Sequence, residues 1–123
     1  MAYDITVLID DLPGALAQVG ETLGKAGINI DGYCSFTSGI KTQLHVLVQD
    51  AEAARSVLEA GGIQVLQERE VLTVDMTDNP GELGKVARRI ADAGVNIDMV
   101  YMGTESRLVV AAYDLDKARE AAG

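Results

Sequence analysis

The sequence predicts an α+β protein made of two βαββαβ units in tandem, the second lacking its last strand. Three observations lead there. Residues 11–31 (DLPGALAQVGETLGKAGINID) and 78–98 (DNPGELGKVARRIADAGVNID) are near-copies of each other, 67 positions apart. Short runs rich in Val, Ile and Leu alternate apolar and polar residues, the period of a strand. Between those runs the apolar residues recur at spacings of three and four, the period of one helix face.

Ten of the 21 aligned positions are identical, among them Asp11/Asp78, Pro13/Pro80, Gly14/Gly81, Gly27/Gly94, Asn29/Asn96 and Asp31/Asp98. Further on, DAEAAR (50–55) aligns with DLDKAR (114–119), now 64 positions apart. The second copy therefore carries a three-residue deletion, placed between residues 101 and 105.

Residues 3–9 (YDITVLI) are β-branched and alternating, which suits a strand. Asp11 followed by Pro13 is a helix-start signal. Leu16, Val19, Leu23 and Ala26 form one helical face, and Gly27 suits the left-handed residue that ends a helix. Residues 28–36 alternate again, Ser38-Gly39 marks a turn, and 40–49 (IKTQLHVLVQ) is a third strand. Residues 51–60 are rich in Ala and Glu, hence helical, until Gly61-Gly62; residues 63–69 are a fourth strand. In the second copy, 70–76 is a strand and 80–93 a helix with Leu83, Val86, Ile90 and Ala93 on one face. Strands follow at 95–102 and 105–113, and a helix at 114–122. The sequence ends at Gly123, before the position near 127 where the last strand is expected. The two units are thus 1–69 and 70–123. The order βαββαβ is the ferredoxin-like arrangement, one antiparallel sheet with two helices on one face. That fold hosts many functions, so function has to be argued from particular residues.

Composition narrows the field. Lys plus Arg is 10 and Asp plus Glu is 19, a formal charge of −9, which opposes binding to nucleic acid or to anionic membrane. With one Phe, four Tyr and no Trp there is little on which to stack bases. Cys34 is the only cysteine and reads as an ordinary buried thiol; His45 is the only histidine and reads as a structural or edge residue of its strand. An intrachain disulfide, a multi-cysteine metal site and any two-imidazole mechanism within one chain are excluded. No cofactor and no metal site are expected. No apolar run approaches the roughly 18 residues that span a bilayer. Met1-Ala2-Tyr3-Asp4 lacks the basic and apolar regions of a signal peptide, so a soluble cytoplasmic protein is expected.

The repeated residues that are neither apolar nor obviously structural carry the chemistry. Helix N-termini offer free N–H groups and partial positive charge, which suits a carboxylate or phosphate. At Asp11-Leu12-Pro13-Gly14 and Asp78-Asn79-Pro80-Gly81 the glycines let a ligand approach the backbone. Asp11 and Asp78 either hold a ligand ammonium or cap their own helices. Asn29 and Asn96, with donors and an acceptor, either bind a carboxylate and an amine or bond their own turn.

The pattern D-x-P-G-x-L, about ten helical residues, then A-G-[I/V]-N-I-D resembles the signature of ACT domains, ferredoxin-like regulatory modules that bind amino acids and other small metabolites. The resemblance covers both copies, so the chain looks like a tandem ACT protein with no attached enzyme. It implies a ligand at the interface of two ACT units, where the loop before the first helix of one unit faces the second strand of the other. By position, the implied ligand residues are Asp11, Leu12, Gly14, Ala15, Leu16, Asn29 and Ile30. Their counterparts are Asp78, Asn79, Gly81, Glu82, Leu83, Asn96 and Ile97.

Two features depart from the pattern. The missing last strand leaves 70–76 as an open edge, a pairing hazard unless covered. The strands at 63–69 and 70–76 abut without a linker. In the order 4-1-3-2, units joined through their second strands place those ends about six spacings apart, roughly 29 Å. Either these strands are exchanged between units or the amino-acid-type interface forms between two chains, which favours a homodimer.

An enzyme has little to work with. An acylphosphatase-type cradle needs an Arg before the first helix, and residues 10–15 and 77–82 contain no Arg or Lys. There is no Gly-rich phosphate loop ending in Lys and no Ser-His-Asp set. RNA-binding domains share the element order, but their aromatic sheet motif is absent. The expectation is a non-catalytic, amino-acid-binding regulatory protein. The alternative is an interaction module without a ligand, acting through its sheet edge.

Overall fold

Along the chain run β1 (Ala2–Asp10), α1 (Ala15–Lys25), β2 (Gly32–Ser38), β3 (Lys41–Val48), α2 (Ala51–Ala60), β4 (Gln64–Asp75), α3 (Glu82–Asp92) and β5 (Met99–Met102). A single 3₁₀ turn (Thr104–Ser106), β6 (Arg107–Ala111) and α4 (Leu115–Ala122) complete it. This computed structural model describes all residues, Met1–Gly123, and they divide into unit 1, Met1–Glu70, and unit 2, Val71–Gly123.

Unit 1 orders its strands β2-β3-β1-β4, the ferredoxin-like order, with β3 antiparallel to both β1 and β2. One sheet face carries Ile5, Val7, Leu44, Val46 and Val48, and they meet Val19 and Leu23 of α1 and Ala54 and Leu58 of α2. Leu23 and Leu58 are fully buried, each worth about 1.5–3 kcal/mol. In unit 2 the order is β4-β6-β5, again antiparallel, and no strand follows α4. Leu72, Leu108 and Val110 pack with Val86 and Ile90 of α3 and Ala118 and Ala122 of α4. The Arg89 guanidinium donates to the Ala122 carbonyl at 3.2 Å and ties the two helices. The architecture is α+β and ferredoxin-like in both units, the second one strand short, as the sequence predicts.

The repeat extends to strand register. Ile5 pairs with Val46 in unit 1 and Leu72 with Val110 in unit 2, the same pair after shifts of 67 and 64. Gly32 pairs with Leu47, and its counterpart Met99 pairs with Ala111. Eight residues lie between the pair Ser35↔Leu44 and five between Met102↔Leu108, so the missing three fall within 103–107, overlapping the expected 101–105. The shorter connection closes with a Gly103 N–H bond to the Arg107 carbonyl (2.8 Å) and left-handed backbone at Glu105 and Ser106.

Several boundaries differ from the expectation. The strands read at 63–69 and 70–76 are one strand, β4, because no turn residue interrupts QVLQEREVLTVD. A continuing strand needs no linker, so the expected 29 Å gap does not arise between its two halves. The strands read at 28–36 and 95–102 start later, at Gly32 and Met99. Residues 28 and 95 belong instead to the helix exits: the Ile28 N–H bonds Leu23 O (3.0 Å) and the Val95 N–H bonds Ile90 O (3.2 Å), with Gly27 and Gly94 left-handed. The strand read at 105–113 shortens to Arg107–Ala111, and the helix read at 80–93 begins at Glu82.

Candidate functional site

The two Asp-x-Pro-Gly loops end in the same backbone device. Gly14 is the N-cap of α1 with φ 90°, and Gly81 is the N-cap of α3 with φ 89°. An L-residue at such a φ is strained, so glycine is required there for geometry as well as for access. Neither helix has a side-chain cap. Asp11 and Asp78 therefore do not cap, contrary to one of the two readings open for them. The cap carboxylates in this fold are Asp50, accepting from the Ala53 N–H (3.0 Å) on α2, and Asp114, accepting from the Lys117 N–H (3.1 Å) on α4.

The loops differ in setting. In unit 1 the Asp11 N–H donates to the Ile40 carbonyl (3.1 Å), which ties the loop to the β2–β3 hairpin. Lys41 at the same hairpin pairs with Asp10 at 2.5 Å. The first turn of α1 contains no acid. In unit 2 the first turn of α3 contains Glu82, which pairs with Lys85 at 3.3 Å, and the position of Lys41 is taken by Glu105. Unit 1 thus offers its helix N-terminus to an anion with less opposing charge than unit 2 does.

At the far end of α1 lies Asn29. Its amide donates to Asp31 Oδ1 (2.6 Å), and the Gln49 amide donates to Asp31 Oδ2 (2.9 Å). These three side chains line a recess of about 430 Å³ with Ala26, Gly27 and Asp50. In unit 2 Tyr113 stands in the place of Gln49 and is 98% exposed. Ile30 and Ile97 turn inward onto the cores of their units, and Asn29 and Asn96 are exposed. The eleven residues of α1 span about 16 Å, so the Asp11–Leu16 loop and Asn29 stand at opposite ends of one helix. Asp78–Leu83 and Asn96 are separated in the same way by the eleven residues of α3. Asp31, Gln49 and Lys41 were not singled out from the sequence. Asp31 is repeated as Asp98 and could have been; Gln49 and Lys41 lie outside the repeated blocks, Lys41 joining through its pairing with Asp10 across β1 and β3 and Gln49 through its side-chain bond to Asp31.

A second polar cluster occupies the sheet face of unit 1 that points away from its helices. Asp4 is fully buried, and its Oδ2 accepts from the Thr6 hydroxyl (3.0 Å) and lies 3.0 Å from His45 Nδ1. Thr6 Oγ1 lies 3.1 Å from the same nitrogen. An Nδ1–H shared between Asp4 and Thr6, with the Thr6 O–H donated to Asp4, satisfies all three contacts. Phe36 stacks on His45 with ring centroids 6.4 Å apart, and Cys34 pairs with His45 in the ladder. His45 is a structural residue of its sheet, as read from the sequence. No group of three or more His, Cys, Asp or Glu could hold a metal ion, and no helix is long and apolar enough to cross a membrane.

No family model and no curated relative matches the sequence. The fold matches many solved structures. A protein from Bacteroides thetaiotaomicron superposes with a TM-score of 0.85 at 24% identity, covering 97% of this chain and 84% of that one. The ligand-free regulatory subunit of aspartate kinase from Thermus thermophilus gives 0.75 at 24% identity, covering 98% and 89%. A structure of aspartokinase alpha and beta subunits gives 0.71 at 20% identity, covering 98% and 88%. The chain thus shares its fold with these proteins, among them a regulatory subunit of aspartate kinase.

Proposed function

We propose that this chain is a non-catalytic, amino-acid-binding regulatory protein of the cytoplasm, with its ligand at the interface of ACT-type units. The observation that carries the reading is the repeated half-site: two helix N-termini whose N-cap is a left-handed glycine and which no side chain caps. Their free N–H groups suit a ligand carboxylate, and Asp11 or Asp78 suits its ammonium. Asn29 and Asn96 supply the facing half. The length of α1 keeps the two halves of one unit apart, so a complete site needs a second unit. A homodimer supplies one. Leu16 and Tyr33 in unit 1 and their counterparts Leu83 and Val100 in unit 2 are large apolar residues left 44–67% exposed on the first helix and second strand. A ligand that bridges two units stabilises one packing over another, a shift of population with no chemical step. The regulatory subunits of aspartate kinase that share this fold suit the same role.

The same exposed apolar positions also favour the second reading, an interaction module that binds no ligand. A thermal-shift screen of the twenty amino acids at millimolar concentration separates the two. The sensor reading expects at least one to raise the melting temperature by RT ln(1 + [L]/Kd) linkage. It further expects Asn29→Ala or Asn96→Ala to weaken that ligand at least tenfold without unfolding the chain. Twenty flat curves would favour the interaction module; unchanged affinity in both variants would instead remove Asn29 and Asn96 from the ligand site. A monomer by sedimentation at tens of micromolar would remove the homodimer.

A further inference from the structure

A recess of about 240 Å³ opens on the helix side of unit 1, between α1 and the outer strands. Leu16, Val19 and Gly20 of α1 form one wall, Ile30 closes one end, and Tyr33, Leu44 and Val46 form the floor. Apart from the Tyr33 hydroxyl, every side chain there is hydrocarbon. Five of the seven positions recur in unit 2 as the same residue, Leu83, Val86, Ile97, Leu108 and Val110. The two that change are Gly20, replaced by Ala87, and Tyr33, replaced by Val100.

We propose that this recess takes the side chain of the ligand, and that the ligand is an amino acid with an apolar side chain. The inference rests on the amino-acid-sensing reading and narrows it to a class. Leu16 lies two residues from Gly14, so the recess adjoins the half-site at the N-terminus of α1, while Asn29 lines a separate recess at the other end of that helix. A dry apolar cavity of about 150 Å³ holds a benzene ring, so this one has room for a branched aliphatic or a phenyl group. A hydroxyl, amine or carboxylate placed there gives up part of its water and meets no polar side-chain partner but the Tyr33 hydroxyl. The volume is that of one chemical group. A protein contact buries on the order of 1,000 Å², so within any such contact through Leu16 and Tyr33 the recess is room for one group.

Gly20 provides a clean test. It lies inside α1, its φ is not in the left-handed region, and a Cβ built on it meets no atom within 4 Å. Ala is therefore accommodated and favours the helix, while its methyl narrows the recess. Isothermal titration of the full chain with L-leucine, L-isoleucine, L-valine and L-phenylalanine is compared with L-serine, L-threonine, L-lysine and L-aspartate. The best apolar amino acid is expected to bind at least about tenfold tighter than any polar one, given the selectivity of hydrocarbon pockets for each methylene. Gly20→Ala is expected to weaken it about fivefold or more, and Gly20→Leu to abolish it, with no fall in melting temperature. A polar amino acid binding as tightly, or affinity unchanged in both variants, overturns the ligand class and leaves amino-acid sensing standing. A dimer that dissociates in Gly20→Ala with no amino acid present assigns the recess to a second copy and also overturns it. Failure of all four apolar amino acids to bind overturns the ligand class, and the sensing reading is then decided by the twenty-amino-acid thermal-shift screen.

Discussion

Unit 1 and unit 2 share a ladder register and the same helix-end devices, yet they fill the sheet face away from their helices with opposite chemistry. In unit 1 that face holds buried Asp4 and Thr6, hydrogen-bonded to His45, with Cys34 beside it in the ladder. The equivalent positions in unit 2 are Val71, Thr73, Val109 and Tyr101, with Val71 2% and Val109 0% exposed. One backbone plan thus tolerates at the same sites either an Asp–His pair beside a threonine or two valines beside the same threonine. Backbone register is set by the pairing of strands, whereas the content of a buried face only has to be self-consistent, with each polar group on it satisfied.

The largest effect expected from this difference comes from breaking the triad halfway. Asp4→Val copies the unit 2 residue but leaves His45 and Thr6 in place without their shared acceptor. A loss of about 3 kcal/mol follows, the scale of an orphaned buried polar or ionic group. Asp4→Val with His45→Val copies both changes and leaves only the threonine that unit 2 also keeps as Thr73, so the double variant should be more stable than Asp4→Val alone. Urea unfolding of the two singles and the double gives the coupling. Additive losses would mean that Asp4 and His45 are not partners in solution.

A smaller and symmetric effect is expected at the N-caps. Gly14 and Gly81 have φ of 90° and 89°, and neither has an atom within 4 Å of an added Cβ. Their replacement by Ala meets backbone strain and nothing else, about 1–2 kcal/mol in each case. Thermal unfolding of Gly14→Ala and Gly81→Ala should give equal losses. A clear inequality would show that the tie between Asp11 and Ile40, present in unit 1, changes what the loop can tolerate.

The pattern of what could be read from the sequence follows the same division. The repeat, its two offsets and the helix faces were legible because strands and helices impose periods on apolar residues, and both units obey them. The left-handed Gly27 and Gly94 were legible because few other residues fit there. The role of Asp11 was not: an Asp before a Pro-Gly reads either as a cap or as a ligand group, and only the backbone shows that the cap position falls three residues later, at Gly14. Nor was the merging of 63–69 with 70–76 into β4, since two strands end to end and one long strand have the same period. Asp4 was hidden by its context. A carboxylate in an alternating strand reads as exposed, and it is buried because Thr6, two residues on, and His45, 41 residues on, both reach its Oδ2. Long-range pairing of that kind leaves no local mark.

The smallest effect expected lies in the hairpins. Unit 1 turns between β2 and β3 with Gly39 at φ 67°, whereas unit 2, three residues shorter, places Glu105 and Ser106 at φ 59° and 55°. Two L-residues in left-handed backbone each cost about 1–2 kcal/mol. Glu105 offsets part of its cost by accepting from the Arg107 guanidinium. The Ser106 side chain has no such bond, and the Ser106 carbonyl, which accepts from the Met76 N–H at 2.9 Å, survives any substitution. Ser106→Gly should therefore relieve the strain, and glycine's greater freedom in the unfolded chain returns about 0.5–1 kcal/mol of it. The net gain is about 0.5 kcal/mol, a rise of a few degrees in melting temperature. Gly39→Ser in unit 1 is the mirror experiment and should cost a similar amount. A gain in one and a loss in the other would mean that the two hairpins obey one rule, and that the three-residue deletion was accommodated at the cost of strain in unit 2. No gain from Ser106→Gly would instead place the adjustment elsewhere in 103–107.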